Sequence, residues 1–159
     1  MGKVLSNFLH GYAGAISRSL DDVVVAMPNK SEGTIAFGCP VALDEDRIGI
    51  VPFDPATHTT ADFLGITVRI PSKTPDTYGD SVGAYGKDEL ADVLVRGHIV
   101  VKTASNAAKL GDPVTIRKSD GAFSVETGDG FIALPNVHVS GATDSAGCME
   151  VLLNIRNIL

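Results

Sequence analysis

Between Asp92 and Lys118 the chain reads DVLVRGHIVVKTASNAAKLGDPVTIRK, and this stretch constrains the fold more than any other. Val93, Val95, Gly97, Ile99 and Val101 alternate with Leu94, Arg96, His98, Val100 and Lys102. A period of two is the signature of a half-buried β-strand, whose successive side chains leave by opposite faces. After a polar connection, Leu110-Gly111-Asp112-Pro113 turns the chain into a second alternating run, Val114-Thr115-Ile116-Arg117. An apolar face that doubles back on itself predicts antiparallel sheet.

Most other segments repeat this rule. Gly38-Cys39-Pro40-Val41-Ala42-Leu43 matches the pattern of Gly111 to Ile116, with proline where a strand begins and no ladder donor is needed. Asp120-Gly121 marks a hairpin turn before Phe123-Ser124-Val125. Ile66, Val68 and Ile70 form one inward row, and Met149, Val151, Leu153 and Ile155 another. Leu152 is left on the opposite face among Glu150, Asn154 and Arg156. On the central run Arg96 shares its face with Leu94, His98 and Val100, which predicts a partly covered face where Arg96 meets a carboxylate or a carbonyl. With 17 Gly, 8 Pro and no Trp, many turns separate short strands. The predicted class is all-β: a compact antiparallel β-barrel or β-sandwich. A chain of 159 residues makes one domain that buries roughly two-thirds of its unfolded surface without needing a disulfide or a metal.

Two stretches break the alternation. In residues 1–22, Phe8, Tyr12, Ile16 and Leu20 recur every four positions with Leu9 beside them, as on one side of a helix. Gly11 and Gly14 weaken such a helix by about 1 kcal/mol each. The segment is either a terminal helix packed on its own domain or an arm ordered by a partner, and the β-domain proper is predicted over 23–159. The second break, residues 71–90, is a long surface loop without apolar period. Loops of this length inside a domain usually make contacts or carry function. Tyr78 and Tyr85 are the residue type that anchors interfaces.

A formal charge of −6 with no basic cluster argues against nucleic acid. No apolar run reaches the roughly 20 residues that span a bilayer, and the first residues lack the pattern of a secretory signal. Met1-Gly2-Lys3-Val4-Leu5-Ser6 fits the short myristoylation pattern, which has meaning only in a eukaryotic host. Cys39 and Cys148, far apart and outside any C-x-x-C spacing, are expected to be free thiols. Nucleophile elbow, phosphate loop and H-E-x-x-H motifs are all missing. His10, His58, His98 and His138 have no second ligand at metal spacing. The acidic trio Asp44-Glu45-Asp46 is expected to be a solvated turn. The residues therefore point to no catalyst, metal or cofactor. A small β-barrel enzyme would have to assemble scattered groups such as His58, Asp62 and Asp76. A carbohydrate-binding or fibre-type β-module would use Tyr78 and Tyr85 as sugar platforms.

The N-terminal FLHGYAGAISRSLDDVV, the loop SKTPDTYG, the central DVLVRG and the closing RNIL together resemble the structural cement, or head-decoration, proteins of tailed bacteriophages. The resemblance covers nearly the whole chain. It implies a non-enzymatic β-module, often a trimer, on the outside of the virion head, where it bridges major capsid protein subunits. The family's habit of gripping the shell through arms and long loops falls on residues 1–22 and 72–86. The expected contact residues are thus Phe8, Leu9, Tyr12, Ile16, Leu20, Tyr78 and Tyr85, with Leu152 at a contact with the capsid or between copies.

Overall fold

The computed structural model describes residues 9–71 and 83–154, with the side chains of 19 and 20 left out. Eleven strands occur among the described residues: β1 (Ile16–Pro28), β2 (Ile35–Ala36), β3 (Pro40–Leu43), β4 (Ile50–Pro52), β5 (Phe63–Thr67), β6 (Ala84–Tyr85), β7 (Leu90–Lys102), β8 (Pro113–Arg117), β9 (Phe123–Ser124), β10 (Phe131–Gly141) and β11 (Cys148–Asn154). One 3-10 turn, Thr60–Asp62, precedes β5. Eight strands follow the order β4-β3-β5-β7-β11-β10-β8-β9, β1 adds to β7, and β2 and β6 form a separate ribbon. All the pairings between these strands are antiparallel. The sheet curls into a half-barrel, so the all-β expectation holds. Pro40 and Pro113 begin β3 and β8, where the missing N–H breaks no ladder.

β7 is the axis of the sheet, paired with β1, β5 and β11. Its odd-numbered row does not serve one core. Ala91, Val93 and Val95 pack with Ile35, Phe37, Leu64 and Tyr85 in one cluster. Ile99 and Val101 pack with Phe53, Ile116, Met149 and Leu153 in the other, together with the even-numbered Leu94. The row changes cores at Gly97, whose φ of +123° is open to glycine and strained for any L side chain. β3 and β5 also divide their side chains between the clusters, Val41 and Leu64 to one, Ala42 and Ile66 to the other. A single inward face is thereby corrected to a strand layer covered on both sides.

Two expected boundaries move. β1 begins at Ile16, seven residues before the expected start of β structure, and residues 11–15 form turns and irregular backbone rather than a helix. Gly11 and Gly14 have φ of +110° and +81°, outside the helical region, and a Cβ at Gly14 would stand 2.8 Å from the Gly38 nitrogen. The four-residue spacing of Tyr12 and Ile16 is therefore not a helical stripe. The second loop shortens at its C-terminal end, where Ala84–Tyr85 pairs with Ile35–Ala36 and β7 starts at Leu90. The trio Asp44-Glu45-Asp46 is a turn, in which Asp44 Oδ1 accepts the Ile48 and Gly49 amides at 2.8 and 2.9 Å.

Candidate functional site

Residues 9–18 cross the outer face of β7, β11 and β10, and polar groups fasten them there. The His10 amide donates to Asp144 Oδ2 at 2.8 Å, and its ring Nε2 donates to the Ala142 carbonyl at 2.5 Å. Gly14 N donates to Val100 O at 2.8 Å, Val100 N to Ala15 O at 2.9 Å, and Arg69 N to Gly14 O at 2.8 Å. Arg18 pairs with Glu150 at 3.1 Å. Each of these five hydrogen bonds would be worth about 1 kcal/mol in net stability.

Glu150 is the one charged residue among the buried ones described, only 5% exposed. Burial pushes its carboxyl up, but hydrogen bonds from Ser17 and Ser140 and the charges of Arg18 and His98 outweigh this and hold it below the ordinary carboxylate value. The Ser140 hydroxyl donates at 2.8 Å. Opposite on the sheet, Val100 is fully buried beneath the crossing segment.

Three large apolar side chains of this segment are open to solvent in part. Leu9 is 62% exposed, Tyr12 41% and Ile16 36%. Tyr12 carries the Arg69 guanidinium 4.6 Å from its ring centroid, a cation over an aromatic face. Polar groups inward and apolar groups outward is the reverse of how a segment packs onto its own core. Farther along β1, Val23 and Val24 are 43% and 41% exposed.

Leu152 is half-buried on the outer face, between His98 of β7 and His138 of β10 in the cross-strand register. Arg96, on the same face, pairs with the carboxylate of Asp21 from β1, so the predicted partner exists and β1 provides the cover. Phe8 and Tyr78 lie outside the described residues, as does the side chain of Leu20.

Tyr85 is not a surface anchor. It is fully buried, edge-on to Phe37 with centroids 5.3 Å apart, and its hydroxyl donates to Val68 O at 2.6 Å. The reason is its pairing in the β2–β6 ribbon, too short to show a period in the sequence. This correction also removes one of the two proposed sugar platforms. Asn29 is a buried junction that sequence reasoning did not single out: its Nδ2 donates to the carbonyls of Gly33, Tyr85 and Gly86 at 2.9, 3.1 and 3.1 Å, and its Oδ1 accepts from Ser31. A single Asn beside Pro28 carries no sequence signal for that task.

The scattered residues of an enzyme have structural work instead. His58 Nδ1 accepts the Asp54 amide at 2.8 Å, and the His58 ring lies 5.4 Å from that of Phe53. Asp62 Oδ2 accepts from Thr59 N and Oγ1 at 2.7 and 2.8 Å, bonds that hold its carboxyl below the usual range. Asp76 lies outside the described residues. Among the described residues no group of three or more His, Cys, Asp or Glu side chains is placed to hold a metal. An open hollow of about 220 Å³ lies between Phe53, Asp54, Lys118 and Asp120, with no histidine or cysteine in its lining. No described helix is long and apolar enough to cross a membrane.

The family described as structural cement protein (E217 gp24/Pam3 gp6) matches residues 3–154. A chain from the solved capsid of Myoviridae phage XM1 shares the fold with a TM-score of 0.72 and 22% identity, over 96% of this chain and 95% of that one. None of the curated proteins matches. The chain belongs to the phage structural cement proteins and is a protein of the virion.

Proposed function

We propose that this protein decorates the outside of a phage head without catalysis, bridging neighbouring major capsid protein subunits and stabilising the shell. The observation that carries the reading is the outward row Leu9, Tyr12 and Ile16 on a segment whose inward groups are polar. Such a row is seated when a partner covers it, and each large side chain then buried contributes roughly 1.5 to 3 kcal/mol. Phe8, Leu20 and Tyr78 belong to the same proposed grip. The formal charge of −6 suits a protein that meets protein rather than packaged nucleic acid. Copies associate with one another, as a trimer in our reading, with Leu152 near a contact. A shell that presents many equivalent sites lets modest contacts add through avidity.

The test is a pelleting assay with purified undecorated heads, using full-length protein and the triple variant Leu9→Ser, Tyr12→Ser, Ile16→Ser. Since about 1.4 kcal/mol is a factor of ten in affinity, the variant is expected to bind at least tenfold more weakly. Its thermal unfolding should stay cooperative, because all three side chains are exposed. Full occupancy by a folded triple variant would move the attachment away from this segment, first to the loop around Tyr78.

A further inference from the structure

β1 is built in two unlike halves. From Val24 to Pro28 it pairs residue for residue with Leu94 to Leu90 of β7. Between Arg18, opposite His98, and Val23, opposite Arg96, the four residues 19–22 face only Gly97. Such a bulge interrupts the ladder and leaves backbone groups without strand partners. Gly97 stands at φ +123°, and a Cβ on it would lie 2.1 Å from Asp22 Oδ1. That oxygen is itself buried without a hydrogen-bond partner among the described residues. An unsatisfied buried acceptor weakens this junction, which the Asp21–Arg96 ion pair still ties to β7.

Beyond the bulge, residues 9–18 are held by the pairing of Ile16 with Ile99 and Arg18 with His98, by the packing of Gly14 against Gly38, and by polar links: His10 to Asp144 and Ala142, Gly14 and Ala15 to Val100, Gly14 to Arg69, and Arg18 to Glu150. Leu9, Tyr12 and Ile16 are already 62%, 41% and 36% exposed, so lifting the segment uncovers only the remainder of each side chain. We propose that residues 9–18 form a hinged strap, which opens as a unit about the bulge at 19–22 while Val24–Pro28 stays in the sheet. The Arg18–Glu150 pair is its catch, because a buried carboxylate that loses its cation is strongly disfavoured. Local opening of a segment with few buried apolar contacts costs less than global unfolding. In the capsid reading, the hinge lets the outward row follow the surface it meets; that use alone rests on the proposed function, and the hinge is tested on free protein.

The measurement is amide hydrogen exchange on the full chain, comparing the natural protein with Glu150→Gln. Exchange in residues 9–18 and at the Val100 amide is expected to rise at least tenfold, while residues 24–29 keep their protection. Unchanged exchange in 9–18 would overturn the catch. A matching rise in 9–18 and 24–29 would overturn the hinge, since β1 would then open as one piece. Should Glu150→Gln fail to fold, Arg18→Gln breaks the same pair from its exposed side and is read by the same two outcomes.

Discussion

At Tyr85 the phenol donates to Val68 O at 2.6 Å in a fully buried position, and the cost of placing an anion there sets its chemistry. Burial is the main cause that pushes its ionisation up to about 12 from an ordinary value near 10, against a backbone hydrogen bond from Asp92 that lowers it, while the Asp92 charge raises it slightly. A folded-state value above the unfolded one means that Tyr85 contributes stability fully below about pH 10 and loses it as pH rises towards 12. Urea unfolding at a series of alkaline pH values should show this decline, and Tyr85→Phe should flatten it. At neutral pH the same substitution leaves the Val68 carbonyl without its donor and is expected to cost about 1 to 3 kcal/mol. A loss below about 0.5 kcal/mol would mean that water or a neighbour replaces the bond. The aromatic residue alone gave no sign of this: Tyr85 and Tyr78 look alike in the sequence, and only the partner strand Ile35–Ala36 distinguishes an anchor from a core residue.

At the scale of the element, β7 carries the architecture, and Gly97 is where it changes cores. Gly97→Ala meets two penalties, a strained φ of +123° and a Cβ 2.1 Å from Asp22 Oδ1. We expect it to destabilise the protein by about 2 to 4 kcal/mol, at the upper end of single substitutions. Guanidinium unfolding measures this, and adding Asp22→Ala should recover only the part due to collision. A shift under about 1 kcal/mol would show that β1 yields freely at the bulge. The period of two identified β7 as a strand correctly because Val93 to Val101 alternate whatever covers them. It predicted one face because alternation reports parity and carries no record of a rotation at a single glycine.

For the whole molecule, five of the eight exposed large apolar residues described, Leu9, Tyr12, Ile16, Val23 and Val24, lie on the N-terminal segment and β1, the others being Ile48, Leu90 and Leu110, while Leu152 is half-buried on the outer face of the half-barrel. If copies associate through that outer face, sedimentation of the natural protein should give a trimer, and Leu152→Glu should shift it towards monomer at equal concentration. An unchanged trimer would place the contact elsewhere, with the exposed Val23 and Val24 of β1 next in line. A monomer both in solution and on the shell would end the trimer proposal.

The amino-acid sequence by itself determined the class of the fold, most of the strands and the absence of familiar catalytic motifs, because alternation, Gly and Pro are local signals that a strand and its turns need wherever they sit. It also singled out Leu9, Tyr12 and Ile16 as apolar residues without a place in the sheet; Leu9 and Tyr12 do lie outside the strands, whereas Ile16 opens β1 opposite Ile99. Only the tertiary structure decided that β1 begins at Ile16, that Tyr85 and Asn29 are buried, and that Glu150 lies under the N-terminal segment beside Arg18. Each of these depends on contacts between residues far apart in the chain, 132 positions in the case of His10 and Ala142. Such pairings are set by which surfaces meet when the sheet curls, and no local pattern of side chains encodes them.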